Sequence, residues 1–181
     1  MREKLIAAAT RLFHEQGVHR TTLAAIASRA EVPLGNVYYH FRTKDALLDA
    51  VIAQHAATLR ASFARYEQQG DARAALQSYL QASRAHSAEL ARYGCPQGSL
   101  CQELEKQSTA DGERASGLLR MQIDWFAAQF YALDQGERSC TLAEELLARL
   151  QGAFVLGSSF GDAAFLERQI DAIRQWLDQL A

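Results

Sequence analysis

A chain of 181 residues, 49% hydrophobic and 22% charged, has ordinary globular composition and enough length for one or two domains with a sizeable core. It has only two prolines among frequent alanine and leucine, which favours an all-helical fold. No apolar run reaches the roughly 18 residues of a membrane span, and no secretory leader is evident, so a cytoplasmic protein is expected. The formal net charge of −2 would by itself argue against a nucleic-acid partner, but the charge is unevenly placed. Residues 1–60 hold eight Lys/Arg and five Asp/Glu, a net +3, whereas residues 61–181 hold eleven and sixteen, a net −5. A basic head on an acidic body fits DNA binding by the head alone.

Residues 3–16 are predicted to form the first helix. Leu5, Ile6, Ala9, Leu12 and Phe13 make its core face, and Gly17 suits its C-terminal end. Thr21 or Thr22 can cap a second helix whose inner face is Leu23, Ile26, Ala27 and Ala30. Glu31-Val32-Pro33 ends it, because proline disfavours the α region at the residue before it. Pro33 also suits the first position of a new helix. Leu34 to Phe41 then makes about two turns, with Val37 and Phe41 inward and Gly35, Asn36, Tyr39 and His40 outward. Small, amide and aromatic groups on a short helix fit a major groove about 12 Å wide. Thr43 caps a long helix over residues 44–69. Lys44 in its first turn opposes the helix dipole, which a phosphate partner or solvation would explain. A helix, a tight turn and a second helix therefore sit in residues 1–46, the expected DNA-reading domain. Residues 47–181 are the expected helical effector-binding and dimerisation domain.

Residues 4–55 carry Ala7-Ala8-Ala9, Leu12-Phe13, Gly17, Thr22, Ile26-Ala27, Ala30, Val32, Gly35, Tyr38, His40-Phe41, Lys44 and Leu47. This pattern resembles the N-terminal DNA-binding domain of TetR-family transcriptional regulators. The resemblance implies an all-α chain of about nine helices: a three-helix helix-turn-helix domain followed by a helical ligand-binding and dimerisation domain. It also implies Thr22, Tyr38, His40 and Lys44 as phosphate contacts. Gly35, Asn36 and Tyr39, with Leu34 beside them, would meet base edges. Tyr38 and Tyr39 cannot be separated from sequence. The basic arm that often precedes the family's first helix is here only Met1-Arg2-Glu3-Lys4.

In the body, residues 72–92 read as one amphipathic helix. Tyr93 to Gly98 reads as a loop, and Ser99 with Gln102 reads as a capping box starting a helix that runs to about Ser108. Residues 111–133 are the most apolar helix. Apolar residues on more than one of its faces imply either core or, as the resemblance suggests, an effector cavity lined by Met121, Trp125 and Phe126, with Phe154. Helices over 140–160 and 163–180 follow. In the last, Leu166, Ile170, Ile173, Leu177 and Leu180 are spaced 4, 3, 4 and 3 apart. That heptad-like seam, with Leu142, Leu146, Leu150 and Phe154 on the helix before it, suits either a homodimer interface or packing within one chain. Ile173→Asp is expected to yield monomers if the seam joins two copies.

Three cysteines in a chain expected to be cytoplasmic argue against a disulfide scaffold, and none pairs with a histidine at metal-ligand spacing. Cys95, expected just ahead of a helix N-terminus where thiolate is favoured, is the one of interest. Tyr93-Gly94-Cys95-Pro96-Gln97-Gly98-Ser99-Leu100 resembles a loop in one branch of the TetR family, some members of which sense electrophiles or oxidants through this cysteine. A sensor and a packed structural cysteine both remain open, and Cys101 is expected to be buried. The reading is a homodimeric repressor on a palindromic double-stranded operator. It would be released by a small-molecule inducer or by modification of Cys95, with no cofactor, metal or membrane partner. A helical carrier with a vestigial DNA reader is the alternative. A thiol enzyme using Cys95 lacks a nearby base, since His86 is nine residues away.

Overall fold

The computed structural model describes residues 1–106 and 109–180, and among them there is no β-strand. Ten helices follow in order: α1 (Arg2–Gln16), α2 (Leu23–Arg29), α3 (Leu34–His40), α4 (Lys44–Glu67), α5 (Ala72–Ala85), α6 (Ser87–Tyr93), α7 (Pro96–Glu105), α8 (Thr109–Ala132), α9 (Ser139–Phe160) and α10 (Ala163–Asp178). A 3-10 turn, Gly136–Arg138, precedes α9. The helix expected over 72–92 breaks at His86, which ends α5 and begins α6. Counted as one bent element, that pair restores the expected nine. The expected end of α7 near Ser108 lies outside the described residues.

Packing divides the chain into two compact units, Met1–Thr58 with Ser99–Leu118, and Leu59–Gly98 with Leu119–Ala181. α4 contributes to both units, its residues through Thr58 to the first and those from Leu59 to the second. In the first unit the α1 stripe of Leu5, Ile6, Ala9, Leu12 and Phe13 is buried, as are Ile26 and Ala27 of α2, Val37 of α3, Phe41, and Leu47, Leu48 and Val51 of α4. The spacing of these residues made one helix face each, and burial of each large side chain contributes about 1.5–3 kcal/mol. In the second unit α9 packs along α10 and α6, and α10 along α5 and α6. An aromatic cluster fills part of its core. Phe63 and Trp125 stack at 4.6 Å, Tyr79 meets Phe126 edge-on at 4.9 Å, and the Tyr79 hydroxyl donates to Gln122 Oε1 at 2.7 Å. The buried hydroxyl and amide thus satisfy one another. No helix among the described residues is long and apolar enough to cross a membrane.

Candidate nucleic-acid interface

The reading element is assembled by local chemistry. Thr22, not Thr21, caps α2: the Ala25 N–H donates to Thr22 Oγ1 at 3.1 Å. Thr21 is buried, and its hydroxyl donates to the Gly17 carbonyl at 2.7 Å, closing the loop from α1. After α2 the chain turns through Glu31 at φ 57°, and the Val32 N–H returns to the Ala27 carbonyl at 3.0 Å. Pro33 sits one position earlier than expected, as the N-cap of α3 rather than its first helical residue. Its carbonyl accepts the Asn36 N–H at 2.9 Å. Thr43 caps α4 through the Ala46 N–H at 3.1 Å, as its sequence position implied.

Val37 and Phe41 anchor α3, and the Arg2 guanidinium lies over the Phe41 ring at 5.1 Å. Opposite Val37, the four-residue step from Gly35 to Tyr39 forms the outermost ridge. Tyr39 is 84% exposed and Tyr38 53%, so both face outward and Tyr39 projects further. Leu34 and Gly35 are exposed, and Asn36 and His40 half-buried. Tyr39 and His40 meet edge-on at 5.0 Å. A Cβ built on Gly35 would meet nothing within 4 Å. Its own fold therefore does not need glycine there, although glycine in a helix costs about 1 kcal/mol relative to alanine. Thr22 is exposed, and Lys44 is half-buried with Nζ reaching the His19 carbonyl at 3.4 Å. Arg20 and Arg42 are exposed beside Thr22 and Thr43, and the sequence reading did not single them out. Their position next to two helix caps was the available signal. Arg29 is partly engaged by Glu15 at 3.1 Å, and Arg11 and Arg29 hold the Glu15 carboxyl below the usual range.

The residues expected to line an effector cavity are mostly packed. Trp125, Phe126 and Phe154 are buried and Met121 is half-buried. The Trp125 indole N–H donates to Glu67 Oε1 at 2.8 Å. A groove of about 880 Å³ lies elsewhere, between the end of α4, α5 and α10, with Arg65, Tyr66, Gln77, Gln81 and Arg174 on its walls. None of the expected cavity residues lines it.

Around Cys95 the helix begins at Pro96 rather than Ser99, so the expected capping box is replaced by proline at the first helical position. The Cys95 thiol is 7% exposed. It accepts from the Gly98 N–H and the Gln151 amide and faces Gln97 Oε1, each at 3.4 Å. A side chain at Gly98 would run into the Gln151 amide oxygen. Burial pushes the thiol pKa up, outweighing the hydrogen bonds that lower it. The thiolate expected at a helix start is therefore not favoured, and none of these hydrogen-bond partners is a general base. Cys101 is buried as expected, and Cys140 is exposed.

Leu146, Leu150, Phe154, Leu166, Ile170, Ile173 and Leu177 are all buried within a single chain. The large apolar residues left outside on α9 are Val155, Leu156 at 46% and Phe160 at 64% exposed, with Phe160 meeting Phe165 of α10 at 5.5 Å. Gly152, one turn before Leu156, is exposed, with open space where a Cβ would stand.

Residues 5–51 match the family described as bacterial regulatory proteins, tetR family. The transcriptional regulator TtgR of Pseudomonas putida is 46% identical over 65 residues, but the match spans only 34% of this chain and 31% of that one. The transcriptional repressor DhaR of a Mycobacterium species is 27% identical over 181 residues, covering 99% of this chain and 87% of DhaR. The crystal structure of a TetR transcriptional regulator from Legionella pneumophila superposes with a TM-score of 0.84, covering 99% of this chain and 96% of that chain at 21% identity.

Proposed function

We propose that this chain, a TetR-family transcriptional regulator, acts as a homodimeric repressor that leaves a palindromic operator when a small molecule binds its body. The observation that carries the reading is the outer ridge of α3. Tyr39 projects from an anchored helix, and beside it Gly35 keeps a backbone approach open that the chain itself does not use. In this reading Gly35, Asn36 and Tyr39, flanked by Leu34, meet base edges. Thr22, Tyr38, His40 and Lys44 hold phosphates, joined by Arg20 and Arg42. Phosphate contacts position the head, and base contacts specify the sequence.

A head of net +3 makes few phosphate contacts, so two heads on one site multiply affinity. The exposed face of Val155, Leu156 and Phe160, with Gly152 allowing close approach, supports a two-fold pairing through α9 and α10. Two-fold dimers and palindromic sites go together. Repression follows the likeness to DhaR, which is named a repressor. Reversible binding is favoured over modification of Cys95 as the trigger, because that thiol is buried and bonded on several sides. Release needs a coupling free energy of only about 1–3 kcal/mol between the two sites.

The test is binding to the chain's own upstream DNA by fluorescence anisotropy, for wild type and Tyr39→Ala. The regulator reading expects saturable, salt-dependent binding whose sequence discrimination weakens in the variant. A chain that binds small apolar molecules but shows no salt-dependent DNA affinity would instead be the helical carrier.

A further inference from the structure

Glu103 lies two turns into α7, more than eighty residues in sequence from the loop ahead of α2, yet its carboxylate is built into that loop. Oε2 accepts the Val18 N–H at 2.8 Å, and Oε1 accepts the His19 N–H at 2.6 Å. These donors follow Gly17, at φ 86° and ψ 160°, and both point to the one carboxylate. Gly17 is fitted to the carboxylate, since a Cβ there would stand 2.9 Å from Glu103 Oε2 in a backbone region that favours glycine. The same loop carries exposed Arg20 and leads into Thr22, the cap of α2. Lys44 reaches the His19 carbonyl of this loop. In the same compact unit, Arg114 of α8 pairs with Asp49 of α4 and with Asp111.

We infer that Glu103 is a positioning residue for DNA binding. It touches no DNA itself but fixes the backbone from which Arg20, Thr22 and Lys44 reach the phosphates. The inference rests on the regulator reading above, and it makes a prediction of unusual sign. Glu103 is an anion in a head that binds a polyanion, so charge alone predicts that Glu103→Gln tightens DNA binding. Positioning predicts that it weakens binding. The glutamine side chain keeps one acceptor oxygen but places an amide N–H against the other backbone donor.

Wild type, Glu103→Gln and Glu103→Ala would be titrated with the upstream duplex and with a scrambled duplex at several salt concentrations. Helicity by circular dichroism and amide exchange at Val18 and His19 would be followed in parallel. The expected result is a loss of about tenfold or more in Glu103→Gln, as for a charge-assisted hydrogen bond removed. The loss should be equal on both duplexes, with a salt slope shallower by about one, the signature of a lost phosphate contact. Amide exchange at both residues should quicken while helicity is kept. A role confined to holding the fold would lower thermal stability without changing the affinity or salt slope of folded protein. If Glu103→Ala unfolds, the near-isosteric Glu103→Gln decides. Unchanged or tighter binding by folded Glu103→Gln overturns the inference. A wild type that binds neither duplex overturns the regulator reading itself, and the two failures are distinct.

Discussion

Replacing Gly35 with alanine should make the protein more stable and a poorer DNA binder at once. Gly35 lies in α3, and a Cβ at this position has no heavy atom within 4 Å. The added methyl therefore meets no neighbour in the fold, while helix propensity gains roughly 0.5–1 kcal/mol. For a chain of this size, that gain raises the melting temperature by about 2–4 °C per kcal/mol. In the proposed reading the same methyl stands on the ridge beside Tyr39, where the backbone of α3 would closely approach DNA. A loss of about tenfold in operator affinity corresponds to about 1.4 kcal/mol. Chemical unfolding and anisotropy titration on one preparation would measure both effects. A destabilised Gly35→Ala would show that the glycine serves the fold. A stabilised variant with unchanged DNA affinity would show that α3 is not the reading surface.

Two substitutions separate the buried seam from the exposed face. Leu156→Asp should give a folded monomer by light scattering, because Leu156 is outside. Ile173→Asp should unfold the chain, because an unpaired charge placed in its core costs several kcal/mol. His55 is held neutral by burial and by nearby His14, which lower its pKa from 6.5 to about 4. The unfolded chain takes up that proton first, so stability should fall as pH drops below about 6.5 and level off near 4. The loss from this group at about pH 5 is roughly 2 kcal/mol. His55→Gln should flatten that slope in urea titrations at several pH values, and an unchanged slope would remove His55 as its cause. Native protein treated with iodoacetamide should be labelled at exposed Cys140 well before buried Cys95. Rapid labelling of Cys95 in folded protein would reopen its role as a sensor.

Much of the head was legible in sequence because its signals are local. Caps at Thr22 and Thr43, the break before Pro33 and the inward pair Val37 and Phe41 all act within one or two turns of themselves. The body was less legible because its decisive facts concern distant partners. A 4-3-4-3 spacing from Leu166 to Leu180 says that a stripe is covered, but not whether α5, α6 and α9 or a second copy covers it. The helix starts at Pro96, and the glycine two residues on faces Gln151, a contact more than fifty residues away in sequence. For Cys95, the helix start was foreseen in kind, but the depth of burial that reverses its effect has no local signature. Glu103 shows the same limit: nothing near it in the chain points to acceptance from Val18 and His19.

The central claim is that α3 and its flanking caps read DNA. The most direct measurement is the affinity of the wild-type protein for its own upstream duplex and for a scrambled duplex, both at about 0.15 M salt. The account predicts tighter binding to the upstream duplex by roughly a thousandfold or more, with affinity falling as salt rises. Equal affinity for both duplexes, or no salt-dependent binding to either, would contradict it.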